Sequence, residues 1–269
     1  MRKFKDHTFV VLAYKESKDL ERCIKSVLNQ SVETNAVIAT STPNKYIKDL
    51  AKKYNIEVKI NKSKEKGIGI DFDFATNCVN TKLVTIAHQD DIYEYDYARE
   101  VIKYYKKYND SIIIFTDYYE IKNNKKEYSN INLFIKRILL FSLRFHSLSK
   151  FKFIKRNALR FGNAISCPAV TYVKNNVPKI KFDIDMKCNI DWYAWEKLSK
   201  LKGRFTYSSK KLMGHTISDE TTTTEIINNG IRTQEDYTIL RKFWPKPIAK
   251  IITKLYRNSE KNNKIKKDK

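Results

Sequence analysis

Acidic side chains are scarce in this sequence: 30 Asp and Glu stand against 53 Lys and Arg, a formal net charge of +23. So large an excess implies polyanionic partners, whether nucleic acid, an anionic membrane or phosphorylated substrates. Glycine and proline are also sparse, with 6 and 5 residues in 269, and no glycine-rich loop follows the first apolar run. The four cysteines, Cys23, Cys78, Cys167 and Cys188, are far apart and form no C-x-x-C pair. That argues against a zinc knuckle and for reduced, packed thiols in a cytosolic protein. Uninterrupted apolar runs of about 18 residues are missing, so nothing is expected to span a bilayer. The start, "MRKFKDHTFVVLAY", is basic, but Tyr14, Lys15 and Glu16 break its apolar run too early for a signal peptide.

Core-forming material is plentiful. Hydrophobic residues make up 42% of the chain, with 17 Tyr and 14 Phe, enough for one large α/β domain or two small ones. "TFVVLAY" from Thr8 reads as a buried strand, and Leu20, Cys23, Ile24, Val27 and Leu28 form the stripe of an amphipathic helix. "AVIAT", "YIKDLAKKY" and "IEVKI" continue as strand, helix and strand. A helix over about Asp71–Val79 then leads into the strand "LVTIA". Four such alternations imply a parallel sheet with crossover helices, whose ligands gather at the carboxyl ends of the strands.

Further along, a helix to about Tyr108, the strand or strand pair "SIIIFTDYYEI", the loop and strand "GNAISCPAVTYV", the helix "DWYAWEKLSKL" and the short strand "RFTYS" are expected. The polar stretch "GHTISDETTTTE" reads as a loop, followed by a helix and a basic amphipathic tail that frays after Asn258. From Tyr128 to Arg160 there are eight Lys or Arg and no acid, and from Arg241 to Lys269 eleven bases and two acids.

"LVTIAHQDDIY" carries the clearest chemistry: Asp90 and Asp91 stand side by side at the end of a buried strand. Adjacent carboxylates repel and are best tolerated where a cation neutralises them, and a hard divalent ion suits such a pair. Taken alone, two acids at a strand-to-helix turn read first as caps for a helix beginning near Tyr93. Asp191 opens the "DWYAWEKL" helix on the face of Ala194, Trp195 and Leu198. It reads either as that helix's N-cap or as an inward-facing acid, and the two roles are compatible.

These pieces together resemble the family 2 glycosyltransferases over roughly residues 8–240. "VVLAYKESKDLERCIKSVLNQS" is similar to the family's opening strand and helix ending in S-V-L-x-Q, and "ATNC" to its A-R-N segment, with Thr76 in place of arginine. "IAHQDDIY" looks like the D-x-D-D motif, with His88 at the first acid and Asp90 and Asp91 at the later two. "IDWYAWEKL" resembles the E-D-x-x-x-W-x-x-L helix, and "MGHTISDETTT" the late R-x-H-x-x-S-x-T segment, with His215 kept and Met213 in place of arginine.

The resemblance implies a Rossmann-like fold called GT-A, with a mostly parallel central sheet flanked by helices and a C-terminal helical, basic extension. It implies a nucleotide-sugar-binding half over 1–110, an acceptor-binding half over 111–215 and the extension over 216–269. The implied donor is a nucleotide-diphosphate sugar, held by Ala13, Tyr14, Glu16, Thr40, Ser41, Asn77, His88, Gln89 and Asp90. Manganese or magnesium is implied at Asp90, Asp91 and His215, with Asp191 as general base of an inverting transfer to a hydroxyl of a surface polysaccharide or lipid-linked glycan. For His88, ribose contact, metal coordination and a packed structural role all stay open, as does a structural role for His215. Relatives carry two acids after the second strand, where Thr40, Ser41 and Thr42 stand here. This, with His88 in place of an acid, suggests a donor pocket using fewer carboxylates.

The implied location is cytoplasmic, at the inner face of the cell membrane, and the basic tail suits an anionic membrane surface or is merely solvated. Nucleic acid is not expected, since no binding module is recognisable. A basic polyanion-binding protein and a catalytically inactive relative are the alternatives. A sugar-nucleotide pyrophosphorylase is disfavoured by the missing glycine-rich loop.

Overall fold

A computed structural model of the chain describes residues 3–177, 182, 186–217 and 230–265, with side chains as far as 257. The first half alternates as the periodicity predicts. Strand β1 (His7–Ala13), helix α1 (Leu20–Leu28), β2 (Asn35–Thr40), α2 (Lys45–Lys53), β3 (Glu57–Ile60), α3 (Ile68–Asn77) and β4 (Leu83–His88) succeed one another. β1 to β4 pair in parallel in the order β3-β2-β1-β4. The strand order reverses between β1 and β4, and the crevice above their carboxyl ends is the usual place for a ligand in such a sheet.

The second half adds β5 (Ile92–Tyr93), α4 (Tyr97–Lys107), β6 (Ser111–Lys122), β7 (Lys125–Glu127), α5 (Ile131–Leu140), α6 (Lys152–Asn157) and β8 (Val170–Val173). It closes with α7 (Ile190–Ser199), β9 (Arg204–Thr216), α8 (Ile231–Leu240) and α9 (Lys246–Ile265), the last running past Asn258, where the sequence suggested fraying. All nine strands belong to one sheet, in which β8 lies antiparallel between β4 and β6 while β9 pairs parallel to β6. Six strands therefore point one way and β5, β7 and β8 the other. Apolar clusters fill both faces. Val10, Ile86, Phe115, Tyr172 and Trp195 lie in one, and Phe9, Ile24, Ile38, Tyr97 and Ile114 in the other.

β9 is the largest departure from the sequence reading, which ended it at "RFTYS". It continues to Thr216 through Ser208, Ser209, Lys210 and Lys211, where its register against β6 shifts at Thr116/Asp117 and again at Asp117/Tyr118. Irregularities of this kind break the apolar alternation that marks a strand and re-aim the side chains beyond them. Gly214 lets the chain pass Tyr119 there, since a Cβ would meet that ring at 2.8 Å. The consequence is that His215 and Thr216 are strand residues rather than loop residues.

Among the described residues no helix is long and apolar enough to cross a membrane. One buried charge is structural. Lys155 is wholly buried and its Nζ donates to the carbonyls of Leu201 (2.6 Å) and Gly203 (2.8 Å). Burial pushes its pKa down to about 8, with Asp110 opposing, against an unfolded value of roughly 10.4. Between those pH values the unfolded chain binds a proton that the folded chain does not, so stability rises with pH across the window. Urea unfolding at pH 8 and pH 10 is expected to show wild type gaining stability relative to Lys155→Met as the pH increases.

Candidate active site

The end of β4 lies beside the end of β1, with Leu12 opposite His88 in the parallel register. The two strand ends are clasped by one side chain. Gln89 accepts from the Tyr14 backbone N–H through Oε1 (2.9 Å) and donates from Nε2 to the Tyr14 carbonyl (3.2 Å). Beyond Ala13 the chain turns through Lys15, which has a left-handed φ of 54° and donates its N–H to Thr42 Oγ1 at 2.6 Å. Tyr14 and Glu16 are exposed at this rim.

Asp90 and Asp91 cap no helix. α4 begins only at Tyr97, with Asp96 at its N-cap position and the short β5 intervening. Asp91 is instead wholly buried, and its Oδ1 accepts from His215 Nδ1 (3.0 Å) and from the Thr216 backbone N–H (2.8 Å). The extended β9 thus delivers both partners. Asp90 is half-buried, and its carbonyl accepts from Arg22 (3.0 Å) and from Thr216 Oγ1 (2.5 Å). His88 stacks on Phe72 of α3, with ring centroids 5.4 Å apart, and its Nδ1 lies 3.8 Å from Asp91 Oδ2.

Two buried polar atoms in this group have no hydrogen-bond partner, Asp91 Oδ2 and His88 Nε2. Buried orphans are costly and call for an explanation such as an ion. Ligand-type atoms of His88, Asp90 and Asp91 all fall within 4.8 Å of one another. The electrostatics point the same way. Burial and the neighbouring charge of Asp91 raise the pKa of Asp90, while burial holds that of His88 down, partly opposed by the two carboxylates. Two carboxylates and a neutral imidazole form a donor set suited to a divalent ion.

Of the expected metal group, Asp90 and Asp91 fall in this cluster together with His88, and His215 stands beside it, hydrogen-bonded to Asp91. Burial opposes protonation of His215, but the Asp91 charge and hydrogen bond outweigh it and raise its pKa.

Asp191 is the second residue of α7, whose N-cap position is occupied by Asn189. Its Oδ1 accepts from the Trp192 N–H (2.7 Å) and its Oδ2 from Asn163 Nδ2 (2.7 Å). The side chain therefore satisfies one free N–H of the first helical turn, as an N-cap would, and still presents a carboxylate. Burial raises its pKa, against the lowering effect of Asn163, Trp192 and the nearby cations Lys136 and Arg232. Lys136 also acts on His215, and both Asp191 and Asp91 act on the buried thiol of Cys167. The two acids thus share one electrostatic neighbourhood.

At the end of β2, next to that of β1, Thr40 is buried and its Oγ1 accepts from the Thr42 N–H at 3.0 Å. Ser41 Oγ donates to Asp71 Oδ2 (3.0 Å), and Asn61 Nδ2 to Asp71 Oδ1 (2.8 Å). A carboxylate absent from the residues after β2 is thus supplied to Ser41 from the first turn of α3. Asp71 reads in the sequence only as the start of a helix, because its partners Ser41 and Asn61 lie in other elements. Asn163 and Lys136 escaped for a similar reason, since each acquires its meaning from a partner in a distant element.

Asn77 is not brought to the others. It closes the carboxyl end of α3, six residues and so about 9 Å along the axis from Asp71, and its Nδ2 donates back to the Asp73 carbonyl at 2.7 Å. The segment after Ile217 that the sequence matched as "SDETTT" lies outside the described residues.

The model of the family described as Glycosyl transferase family 2 matches residues 8–174. The chain belongs to that family. The match ends before Asp191 and His215, so the placement of these two rests on the structure. No curated protein sequence matches the chain. Among solved structures, S. aureus TarS 1-349 in complex with UDP-GlcNAc shares 15% identity and a TM-score of 0.60, over 92% of this chain and 70% of that one. The mannosyltransferase PcManGT from Pyrobaculum calidifontis, in complex with GDP-Man and Mn2+, shares 12% identity and a TM-score of 0.59, over 94% and 69%. Glucosyl-3-phosphoglycerate synthase from Mycobacterium tuberculosis, in complex with Mn2+ and UDP-Glc, shares 12% identity and a TM-score of 0.53, over 88% and 78%. At these identities the likeness is one of fold. It bears out the GT-A architecture.

Proposed function

We propose that this glycosyltransferase moves a sugar from a nucleotide-diphosphate donor to a hydroxyl of a surface polysaccharide or lipid-linked glycan, with inversion and with help from a divalent ion. The observation that carries the proposal is the His88–Asp90–Asp91 group at the β1/β4 switch point, with its two buried, partnerless polar atoms. His88, Asp90 and Asp91 would hold Mn2+ or Mg2+ there, which would supply charge neutralisation for a departing diphosphate. Relatives in fold that were solved with Mn2+ and a sugar nucleotide support the choice.

The chain's own residues do the rest. The Tyr14–Gln89 clasp and Ser41 with Asp71 follow the neighbouring strand ends of β1, β4 and β2 and offer polar groups to the donor, Asp71 rather than Asn77 being the group offered from α3. Asp191 takes the proton of the acceptor hydroxyl as its oxygen attacks the anomeric carbon and the carbon–diphosphate bond breaks with its electron pair on the leaving group. Attack from the face opposite the leaving group inverts that carbon. We place the reaction at the cytoplasmic face of a membrane, where exposed Lys250, Ile251, Lys254 and Leu255 of α9 give the tail its basic amphipathic surface.

A thermal-shift screen of nucleotide sugars tests the reading. One sugar nucleotide is expected to raise the melting temperature only with Mn2+ present, the stabilisation being about 2.7 kcal/mol at a hundredfold excess over Kd, and Asp90→Ala to abolish the effect. Silence with every nucleotide would sink the proposal. With that donor identified, Asp71→Ala is expected to raise its Kd by roughly tenfold, about 1.4 kcal/mol, at unchanged Mn2+ dependence.

A further inference from the structure

The apolar stripe of α5 faces outward. Ile131 (78% exposed), Phe134 (61%), Ile135 and Ile138 recur at i, i+3, i+4 and i+7 on the solvent side. Such a stripe ordinarily faces the core. Here the polar side is the one turned inward. Arg137 forms an ion pair with buried Asp117 at 2.7 Å, and Lys136 donates to Tyr118 Oη at 2.6 Å. Buried Leu133 and Leu140 fix this orientation.

The exposed stripe does not end with the helix. It continues through Phe141 in the following 3-10 turn to Phe153 (70%) on α6, and both helices pack against that turn. In all, nine large apolar side chains between Ile131 and Phe153 are exposed. Contiguous apolar surface on this scale marks an interaction site.

Its border says what covers it. Arg144, Lys150 and Lys152 are exposed around the apolar side chains, with the Arg144 guanidinium 5.9 Å from the Phe141 ring and Lys150 Nζ 5.5 Å from that of Phe151. No Asp or Glu occurs anywhere from Tyr128 to Phe182. A second copy of the chain would set this acid-free face against itself. We propose that the α5–α6 face seats on an anionic phospholipid bilayer, its phenylalanines and isoleucines entering the headgroup boundary and its cations meeting lipid phosphates.

The proposal deepens the functional reading, and it rests on that reading for one point, Asp191 as the base. Lys136, on the inward side of the same helix, donates to Tyr118 Oη, and the Tyr118 ring stands edge-on to that of His215 with centroids 6.2 Å apart; its charge also favours the ionised form of Asp191. A bilayer under α5 therefore runs alongside the acceptor side of the site, which selects acceptors whose hydroxyl is carried on a membrane lipid.

Vesicle co-sedimentation of the full chain tests this. Vesicles of phosphatidylglycerol and phosphatidylcholine are expected to bind it at least tenfold better than phosphatidylcholine alone, and less well as salt rises. The Phe134→Ser/Ile138→Ser/Phe153→Ser variant is expected to lose at least tenfold of that binding, while Lys250→Ser/Lys254→Ser keeps most of it. The triple variant's thermal shift with donor and Mn2+ should match wild type, which separates failure of the membrane seat from failure of the functional reading. Undiminished vesicle binding by the triple variant, or loss confined to the Lys250/Lys254 variant, overturns the proposal. So does a wild-type dimer in size-exclusion chromatography that the triple variant converts to a monomer.

Discussion

Asp191→Asn is expected to lower sugar transfer by about 10²–10⁴-fold, the usual contribution of a positioned general base, while leaving metal-dependent donor binding in place. The amide keeps the shape and can still accept from the Trp192 N–H (2.7 Å in wild type), so α7 keeps its first-turn partner. What disappears is the capacity to take the acceptor proton. The wild-type pH profile gives an independent check. Burial raises the Asp191 pKa and Asn163 lowers it, so the acidic limb of kcat lies above the ordinary carboxylate range, and activity is lost as the pH falls through it. Removing the amide in Asn163→Ala withdraws a hydrogen bond from the ionised form, which moves that limb to higher pH. A limb that moves down, or an Asp191→Asn enzyme with full turnover, contradicts the assignment. Measured as product formation at saturating donor, the experiment separates a base from a residue that only holds α7.

The portion of the structure legible in advance was the portion built from local periodicity. β1, β2 and β4 are short apolar runs, as strands buried on both faces should be, and α1 carries its stripe at Leu20, Cys23, Ile24 and Val27. The carboxyl end of β4 was legible with them, and so were Asp90 and Asp91. What escaped depends on contacts between distant residues. Asp91 meets His215 across 124 positions, by way of a strand whose register shifts conceal it. Asp71 acquires its role only because Ser41 and Asn61 converge on it. α5 is recognisable as an apolar helix carrying Lys136 and Arg137, but no periodicity says which face the core takes. Asp117, strongly buried on β6, decides that by drawing Arg137 inward.

Adjacent Asp90 and Asp91 look interchangeable in the sequence, yet the structure gives their carboxylates different surroundings, and the stability of their alanine variants should differ accordingly. Asp91 is wholly buried and accepts two hydrogen bonds that tie β9 to the end of β4. Asp91→Ala leaves the Thr216 N–H and His215 without their acceptor, and hydrogen bonds to a charged group contribute about 1.5–3 kcal/mol each. A loss of about 2–4 kcal/mol in urea unfolding without metal is therefore expected. Asp90 contributes its carbonyl to Arg22 and Thr216, and an alanine keeps that carbonyl. Its carboxylate is disfavoured by burial and by Asp91, so Asp90→Ala relieves repulsion and is expected to be at least as stable as wild type without metal. Both variants should lose the Mn2+-dependent response to donor. Carboxylates kept for fold stability would both destabilise on removal, whereas a residue kept for its cation leaves the metal-free protein unharmed. Equal destabilisation by the two substitutions would return Asp90 to a structural role and remove the metal from the mechanism.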